Sequence, residues 1–338
     1  METAKGLTRN MGNPNESQEP HPQTAKVLEQ MRRNAAGKPP YSALTPQQYR
    51  ERFARDRAVN PDPAPVARIE DIRVPVGKGR EMPVRLYAAR PASTPQPVFV
   101  YLHGGGWIGG SVDTHDHVAR QLALATPGVI VASLDYPLAP EDPFPEPHRQ
   151  TAEVLLWMRT NGARIGADGA RLAIGGDSAG ANISLCALLA LRDAGETPAS
   201  FGVLIYGSYS PIERFESHRV LGDGRFGLTG TSLDYYWNHY FGTDPAVRRD
   251  PLAAPLSAPL AGLPPLMLTC AGLDPVRDET RVLASRLALA GQPFSFREYQ
   301  GLVHGYMHYY AEIEPAAGAI RDVGAALRTH LAPGGQSG

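Results

Sequence analysis

Cysteine is scarce in this chain of 338 residues, which contains only Cys186 and Cys270. That excludes a disulfide-built scaffold and a thiolate metal cluster. Both cysteines lie in apolar runs and read as small core residues rather than as a bridge. Long apolar runs are also missing, and none approaches the roughly 20 residues of a membrane span. Charge of one sign is not in excess either. With 33 Lys and Arg against 34 Asp and Glu, no basic stripe suggests nucleic acid and no acidic tail suggests a basic partner. The first twenty or so residues lack the apolar middle of a secretory signal, so the expected location is cytoplasmic. What the chain does have in quantity is Gly, 35, and Pro, 32, which predict tight turns and long functional loops.

The length suffices for one large α/β domain with an extra lobe, or for two domains. Residues 1–24 are polar and are expected to be mobile in part. Helices are predicted over Val27–Asn34 and Pro46–Val59; in the second, Tyr49, Phe53 and Ala54 share one face. The run 60–65, Asn-Pro-Asp-Pro-Ala-Pro, reads as a hinge. Ile69–Val76 and Met82–Tyr87 alternate apolar and polar residues like half-buried antiparallel strands, joined by a turn at Gly77-Lys-Gly79. From Val98 the pattern changes. Val98–Leu102 is a continuous apolar run that suits a central strand covered on both faces, and Val129–Leu134 reads as another buried strand. Arg171–Gly175, Phe201–Tyr206, Pro265–Thr269 and Phe294–Tyr299 read as further strands. Predicted helices at Val118–Ala125, Thr151–Thr160, Ala181–Arg192, Arg277–Leu289 and Ala316–Leu331 alternate with them. The implied fold is α/β: a mainly parallel sheet flanked by helices. The alternation breaks at 207–250, where nothing reads as a central strand. That stretch, which includes the aromatic run Tyr235–Phe241, is predicted to be an insertion over the edge of the sheet.

One stretch organises the rest. The apolar run Leu172–Ile174 leads into Gly176-Asp-Ser-Ala-Gly180, and a helix-compatible run follows. G-x-S-x-G between a strand and a helix is a nucleophile elbow: the serine takes a strained conformation and the flanking glycines avoid collision with the neighbouring strand and helix. A serine hydroxyl needs a base, an acid to orient that base, and donors for the oxyanion that forms. In an open α/β sheet these groups belong at the carboxyl ends of strands. Asp274, His304 and the loop Gly104–Gly106 all fall there, in the chain order Ser, Asp, His. Asp278 and Glu279 rival Asp274 as the acid, but Asp274 comes first after its strand, and Asp278 reads as an early helix residue. His308 rivals His304; if its stretch is helical it points away from the elbow. Asp177 reads as a supporting group. Asp113, His115, Asp116 and His117 form a polar loop that is expected to face water or substrate rather than a metal. The spacing of Gly175, Gly176 and Gly180 does not fit a dinucleotide fingerprint.

The pieces His103-Gly-Gly-Gly-Trp107, Asp135-Tyr-Pro-Leu-Ala-Pro-Glu141, Gly176-Asp-Ser-Ala-Gly180, Asp274-Pro-Val-Arg-Asp-Glu279 and His304-Gly-Tyr306 together resemble the hormone-sensitive-lipase-like, bacterial family IV, carboxylesterases of the α/β-hydrolase superfamily. The resemblance implies a serine carboxylesterase for short- to medium-chain esters, with Ser178 as nucleophile, His304 as general base and then acid, and Asp274 as the orienting carboxylate. It further implies an oxyanion hole from the N–H groups of Gly105, Gly106 and Ala179, and a His103 that holds the glycine loop. A mostly helical cap would be built from residues 1–61 and 207–250, over a catalytic domain of residues 62–206 and 251–338. Trp107 and Tyr306 are expected beside the substrate. No cofactor and no metal are expected; the partner is a small ester, and a homodimer is left open. Alternatives on the same triad are a deacetylase, amidase or acyltransferase. A non-catalytic binding protein, like the plant gibberellin receptors that resemble this family but have lost the histidine, is disfavoured by His304. Three departures from the family pattern stand out: Pro137 in place of arginine, Ile205-Tyr-Gly-Ser208 in place of tyrosine-proline, and Tyr306 in place of phenylalanine.

Overall fold

The computed structural model describes residues 19–57 and 63–332. The expectations for residues 1–18, and for the hinge at 60–62, lie outside them. Two helices come first. α1 (Pro22–Ala35) starts on a proline at its first turn and is capped by His21 Nδ1, which accepts from Gln23 N. α2 (Pro46–Arg57) buries Tyr49 and Phe53 on one face. The antiparallel pair β1 (Arg68–Val76) and β2 (Arg80–Ala88) follows, closed by the predicted turn.

From β3 onward strands and helices alternate. β3 (Gln96–Leu102), α3 (Asp116–Ala125), β4 (Ile130–Leu134), α4 (Glu146–Asn161), β5 (Ala167–Asp177), α5 (Ala179–Asp193) and β6 (Phe201–Ile205) precede the insertion. Three helices lie in the insertion: α6 (Glu216–Leu221), α7 (Gly230–Phe241) and α8 (Pro245–Arg248). β7 (Leu266–Leu273), α9 (Arg277–Leu289), β8 (Phe294–Val303) and α10 (Glu314–His330) complete the fold. The sheet has eight strands in the order β1-β2-β4-β3-β5-β6-β7-β8. Pairing is antiparallel from β1 to β2 and from β2 to β4, and parallel beyond.

The two-residue period of β3 shows how both faces are covered. Val98, Val100 and Leu102 join a core with Val154 and Leu155 of α4, Leu185 and Leu189 of α5, and Leu283 and Leu287 of α9. Phe99 and Tyr101 point the other way, into a core with Val118 and Leu122 of α3 and Ile320, Val323 and Leu327 of α10. A strand buried on both faces has no polar face to show, which is why β3 reads as a continuous apolar run. The insertion has no strand of the main sheet; its one bridge joins Asp223 to Thr229. Its helix α7 packs Leu233, Trp237, Tyr240 and Phe241 into the same core as Tyr49 and Phe53 of α2. Residues distant in sequence thus meet above the carboxyl ends of the parallel strands. Cys186 and Cys270 are buried and unbridged.

Candidate active site

Ser178 sits between β5 and α5 with φ 55° and ψ −117°. A serine in this region carries on the order of 1–3 kcal/mol of strain, held only because the surroundings leave no alternative. The neighbours supply that constraint. A Cβ on Gly176 or on Gly180 would drive into the carbonyl oxygen of Leu102 in β3. Ser178 N donates to Ile205 O at 2.9 Å, tying the elbow to β6 as well.

Ser178 Oγ lies 2.8 Å from His304 Nε2. His304 Nδ1 lies 2.7 Å from Asp274 Oδ2. An aspartate carboxylate only accepts, so Nδ1 carries the imidazole proton and Nε2 is left to accept from the serine hydroxyl. Asp274 is fully buried, and its other oxygen accepts from Val276 N at 3.0 Å, which fixes the carboxyl plane. The two rival acids are engaged elsewhere. Asp278 accepts from Ser217 N at 2.9 Å and from Arg277 Nε at 2.9 Å. Glu279 is buried and accepts from the backbone N–H groups of Tyr209 and Ser210 and pairs with His218 Nε2 at 3.0 Å. It holds the chain where it leaves β6 for the insertion, the place where the Tyr-Gly-Ser departure falls.

The glycine loop faces the elbow. Gly105 and Gly106 have φ of 129° and 62°, and a Cβ on Gly106 would stand 2.6 Å from the ring of Tyr236. Only glycine occupies such conformations without strain. The N–H groups of Gly105, Gly106 and Ala179 have no partner among the described residues. Asp177 joins loop to elbow: it accepts from Gly104 N at 2.9 Å and from Tyr101 Oη at 2.6 Å. Burial raises its pKa, opposed chiefly by the Tyr101 hydrogen bond and by the nearby histidines. His103 stacks on Tyr136 at 4.2 Å, and its Nδ1 contacts Gly104 O at 2.8 Å. Burial holds this imidazole below its ordinary pKa.

Two α2 residues support the same loop. Tyr49 Oη donates to Gly105 O at 3.3 Å. Arg50 donates from Nε to Ile108 O at 2.7 Å and from Nη2 to Ala139 O at 2.8 Å, and pairs with Glu141. A guanidinium from α2 thus holds the turn that follows Pro137. The sequence offered no signal for Arg50, which looks like one more polar residue on an amphipathic helix. Tyr49 was visible only as part of an apolar face.

Trp107 and Tyr306 are placed differently from expectation. Trp107 is 2% exposed and stacks on Tyr240 of α7, with centroids 5.0 Å apart and planes at 6°. Its backbone has a φ of 62°, and the indole packs on Tyr240 and Phe241 of the insertion. Tyr306 is 0% exposed; its hydroxyl bonds Thr269 Oγ1 at 2.9 Å and its ring packs on Tyr206. Its extra hydroxyl is therefore spent on β7. In the aromatic run, Trp237, Tyr240 and Phe241 are core, whereas Tyr235 and Tyr236 are part-exposed, and Tyr236 covers Gly106.

The polar loop does not gather as one group. Asp113 pairs with Arg85 and Asp116 with Arg120. His115 is buried and stacks on His103, while His117 Nε2 lies 3.1 Å from His308 Nδ1. His308 is in a 3-10 turn and packs against His115. One ligand atom each from His115, Asp177 and His308 come within 4.8 Å of one another. Asp177 is already committed to Tyr101 and Gly104, and burial first, then neighbouring positive charge, depresses the pKa of both histidines. The arrangement does not suit a cation.

Comparison with known proteins agrees with this geometry. Residues 99–308 match the family described as having the alpha/beta hydrolase fold. The chain is 35% identical to carboxylesterase NlhH of Mycobacterium tuberculosis over 274 residues, covering 80% of this chain and 85% of that one. It is 33% identical to an acetyl esterase of Salmonella paratyphi A over 264 residues, covering 77% and 79%. Among solved structures, the hyperthermophilic esterase of the archaeon Pyrobaculum calidifontis superposes with a TM-score of 0.86 at 31% identity, covering 93% of this chain and 100% of that one. A thermostable esterase from Pseudomonas putida gives 0.87 at 27% identity, covering 95% and 99%. With the strand order, the elbow and the glycine loop in place, the chain belongs to the α/β-hydrolase family, in its hormone-sensitive-lipase-like esterase branch.

Proposed function

We propose that Ser178, His304 and Asp274 hydrolyse carboxylic esters through an acyl-enzyme on Ser178. The protein is a carboxylic ester hydrolase of the serine type; the residue roles are our reading. The observation that carries them is the unbroken contact from Ser178 Oγ through the His304 ring to Asp274, at 2.8 Å and 2.7 Å. His304 Nε2 takes the serine proton as Oγ attacks the ester carbonyl. The tetrahedral oxyanion forms toward the N–H groups of Gly105, Gly106 and Ala179, at the N-terminus of α5, where the helix dipole adds to the donors. His304 then gives its proton to the departing alkoxide, and the alcohol leaves. Water attacks the acyl carbonyl with its proton going to Nε2, and collapse returns that proton to Ser178.

Residues 19–57, by their packing on the glycine loop, and 207–250, by α7 above it, support the reading of both as a cap. Tyr236 over Gly106 leaves little room there, which favours a small or medium acyl group. Among the described residues no helix is long and apolar enough to cross a membrane, and we place the protein in the cytoplasm. β8 ends the sheet with Phe296 40% exposed, an edge on which a second copy could pair. The test is hydrolysis of 4-nitrophenyl esters from acetate to laurate, with Ser178→Ala as control. Turnover of short chains should fall by roughly 10⁶ in the variant, as when a triad serine is removed. Equal rates in both proteins would overturn the assignment of Ser178.

A further inference from the structure

We propose that Arg57 is an anion receptor in the substrate pocket, and that this enzyme favours esters bearing a second, ionised carboxylate. The inference rests on the ester-hydrolase reading and adds a substrate class to it.

Arg57 closes α2 and is half-buried. Its guanidinium lies over the ring of Phe53, 5.2 Å from the centroid, and 5.8 Å from that of Tyr309. It also borders the loop of the triad histidine: a Cβ on Gly305, the residue after His304, would come 3.7 Å from Arg57 Nη2. A full positive charge therefore stands beside the loop that carries the triad histidine.

Among the described residues no carboxylate answers that charge. Two of the three other arginines of α2 show what an answered one looks like, and the third, Arg55, is exposed to solvent. Arg50 is bonded to two carbonyls and Glu141, and Arg52 to Pro39 O and Asp56. Arg57 makes no hydrogen bond or ion pair among the described residues. The carboxylates of this region are committed elsewhere: Asp56 to Tyr41 and Arg52, Asp116 to Tyr87 and Arg120, Asp177 to Tyr101 and Gly104, and Asp274 to His304. The histidines nearby bring no negative charge. Burial holds His117 down to about 4 and His115 and His308 well below their ordinary value, and the Arg57 charge adds to the effect in each case.

A guanidinium keeps its proton at any working pH and presents donors in a planar fork that fits a carboxylate at two points. Two aromatic rings hold its plane, so little freedom is lost when an anion docks. An ester with a carboxylate several bonds from the scissile carbonyl would place its reacting carbon at Ser178 and its charge at Arg57. A neutral ester gains nothing from this residue.

The experiment compares kcat/KM for charged and neutral esters within each protein, so that a change in folded fraction cancels. On the acyl side, mono-4-nitrophenyl glutarate is set against 4-nitrophenyl valerate. On the alcohol side, 4-acetoxybenzoate is set against phenyl acetate. In at least one pair the charged-to-neutral ratio should fall at least about tenfold in Arg57→Met, chiefly through KM, and recover in part in Arg57→Lys. Added salt should lower that ratio in the wild type and leave it flat in Arg57→Met. The pair that responds tells which side of the ester carries the charge. Ratios equal in the wild type and Arg57→Met for both pairs overturn the proposal, with Arg57 then a solvated surface charge. If Arg57→Met does not fold, competition in the wild type decides. Benzoate should inhibit phenyl acetate hydrolysis at far lower concentration than benzamide, and equal inhibition overturns the proposal. Failure to hydrolyse any ester would instead count against the ester-hydrolase reading itself.

Discussion

The elbow at Ser178 and the glycine loop at Gly104–Gly106 adjoin each other, yet they are held by different means. The elbow is built into the sheet. Its glycines are required because β3 leaves no space, the strained residue is the serine, and the contacts that confine it are backbone contacts from β3 and β6. The loop takes its positive φ values at glycines and, apart from the Asp177 bond to Gly104, is held from outside the sheet: by Tyr49 and Arg50 of α2, Tyr136 beyond β4, and Tyr236 of α7. The nucleophile is thus positioned by the core, whereas the oxyanion site depends on the covering segments. Damage to the first should appear in stability, and damage to the second in turnover.

The largest effect should come from Gly176→Ala. The added Cβ meets backbone on both sides, so neither neighbour can move alone. Overpacking of this kind costs on the order of 3 kcal/mol or more, read as a lower midpoint in thermal or urea unfolding. A protein with wild-type stability would break the comparison. Next is Gly105→Ala, at φ 129° and pressed on Gly109. Because the loop is peripheral, the fold should survive while kcat drops by roughly 10²–10³, the usual cost of a lost oxyanion donor. A smaller effect is expected for Arg50→Ala, which removes the supports at Ile108 and Ala139. Since a 1 Å misplacement of reacting groups costs about a hundredfold, a loss near tenfold in kcat, with little change in unfolding midpoint, fits a loosened loop. An equal fall in stability would mean that α2 is part of the core proper.

The smallest effect is with pH. The imidazole of His103 is kept neutral by burial, so its folded pKa is depressed. The unfolded chain takes up that proton near pH 6.5 while the folded one does not, so stability is lost as pH falls below that value. Asp177 runs the other way: its pKa is raised, and its contribution is greatest at low pH and is lost as pH rises through the raised value. Between pH 7 and 5, amide protection corrected for intrinsic exchange should therefore fall around Gly105–Gly110 before it falls in α5. Simultaneous loss would merge the two regions into one unit.

Much of this architecture could be read in advance, and the reason differs from residue to residue. Val98–Leu102 announced a doubly covered strand because burial on both faces removes polar residues. Gly176 and Gly180 announced a steric constraint because glycine at fixed spacing around a serine has few other uses. Arg50 and Arg57 announced nothing, and Glu279 announced only a rival for the triad acid, since a charged residue on a helix looks the same whether it meets water or a buried polar group. The stacking of Trp107 on Tyr240 could not be read from the sequence, because it joins two segments far apart in the chain.

The sequence by itself determined the order of strands and helices, the turn chemistry at the elbow and the set of groups able to do acyl chemistry. Those properties depend on periodicity and on the conformational limits of residues close in the chain. Only the tertiary structure decided that His304 reaches across 126 residues to Ser178, that Asp274 rather than Asp278 or Glu279 meets that histidine, and that Arg50 of α2 bonds the carbonyl of Ala139 two residues after Pro137. Contacts of that kind depend on how separate elements pack, and packing is settled by the whole chain at once.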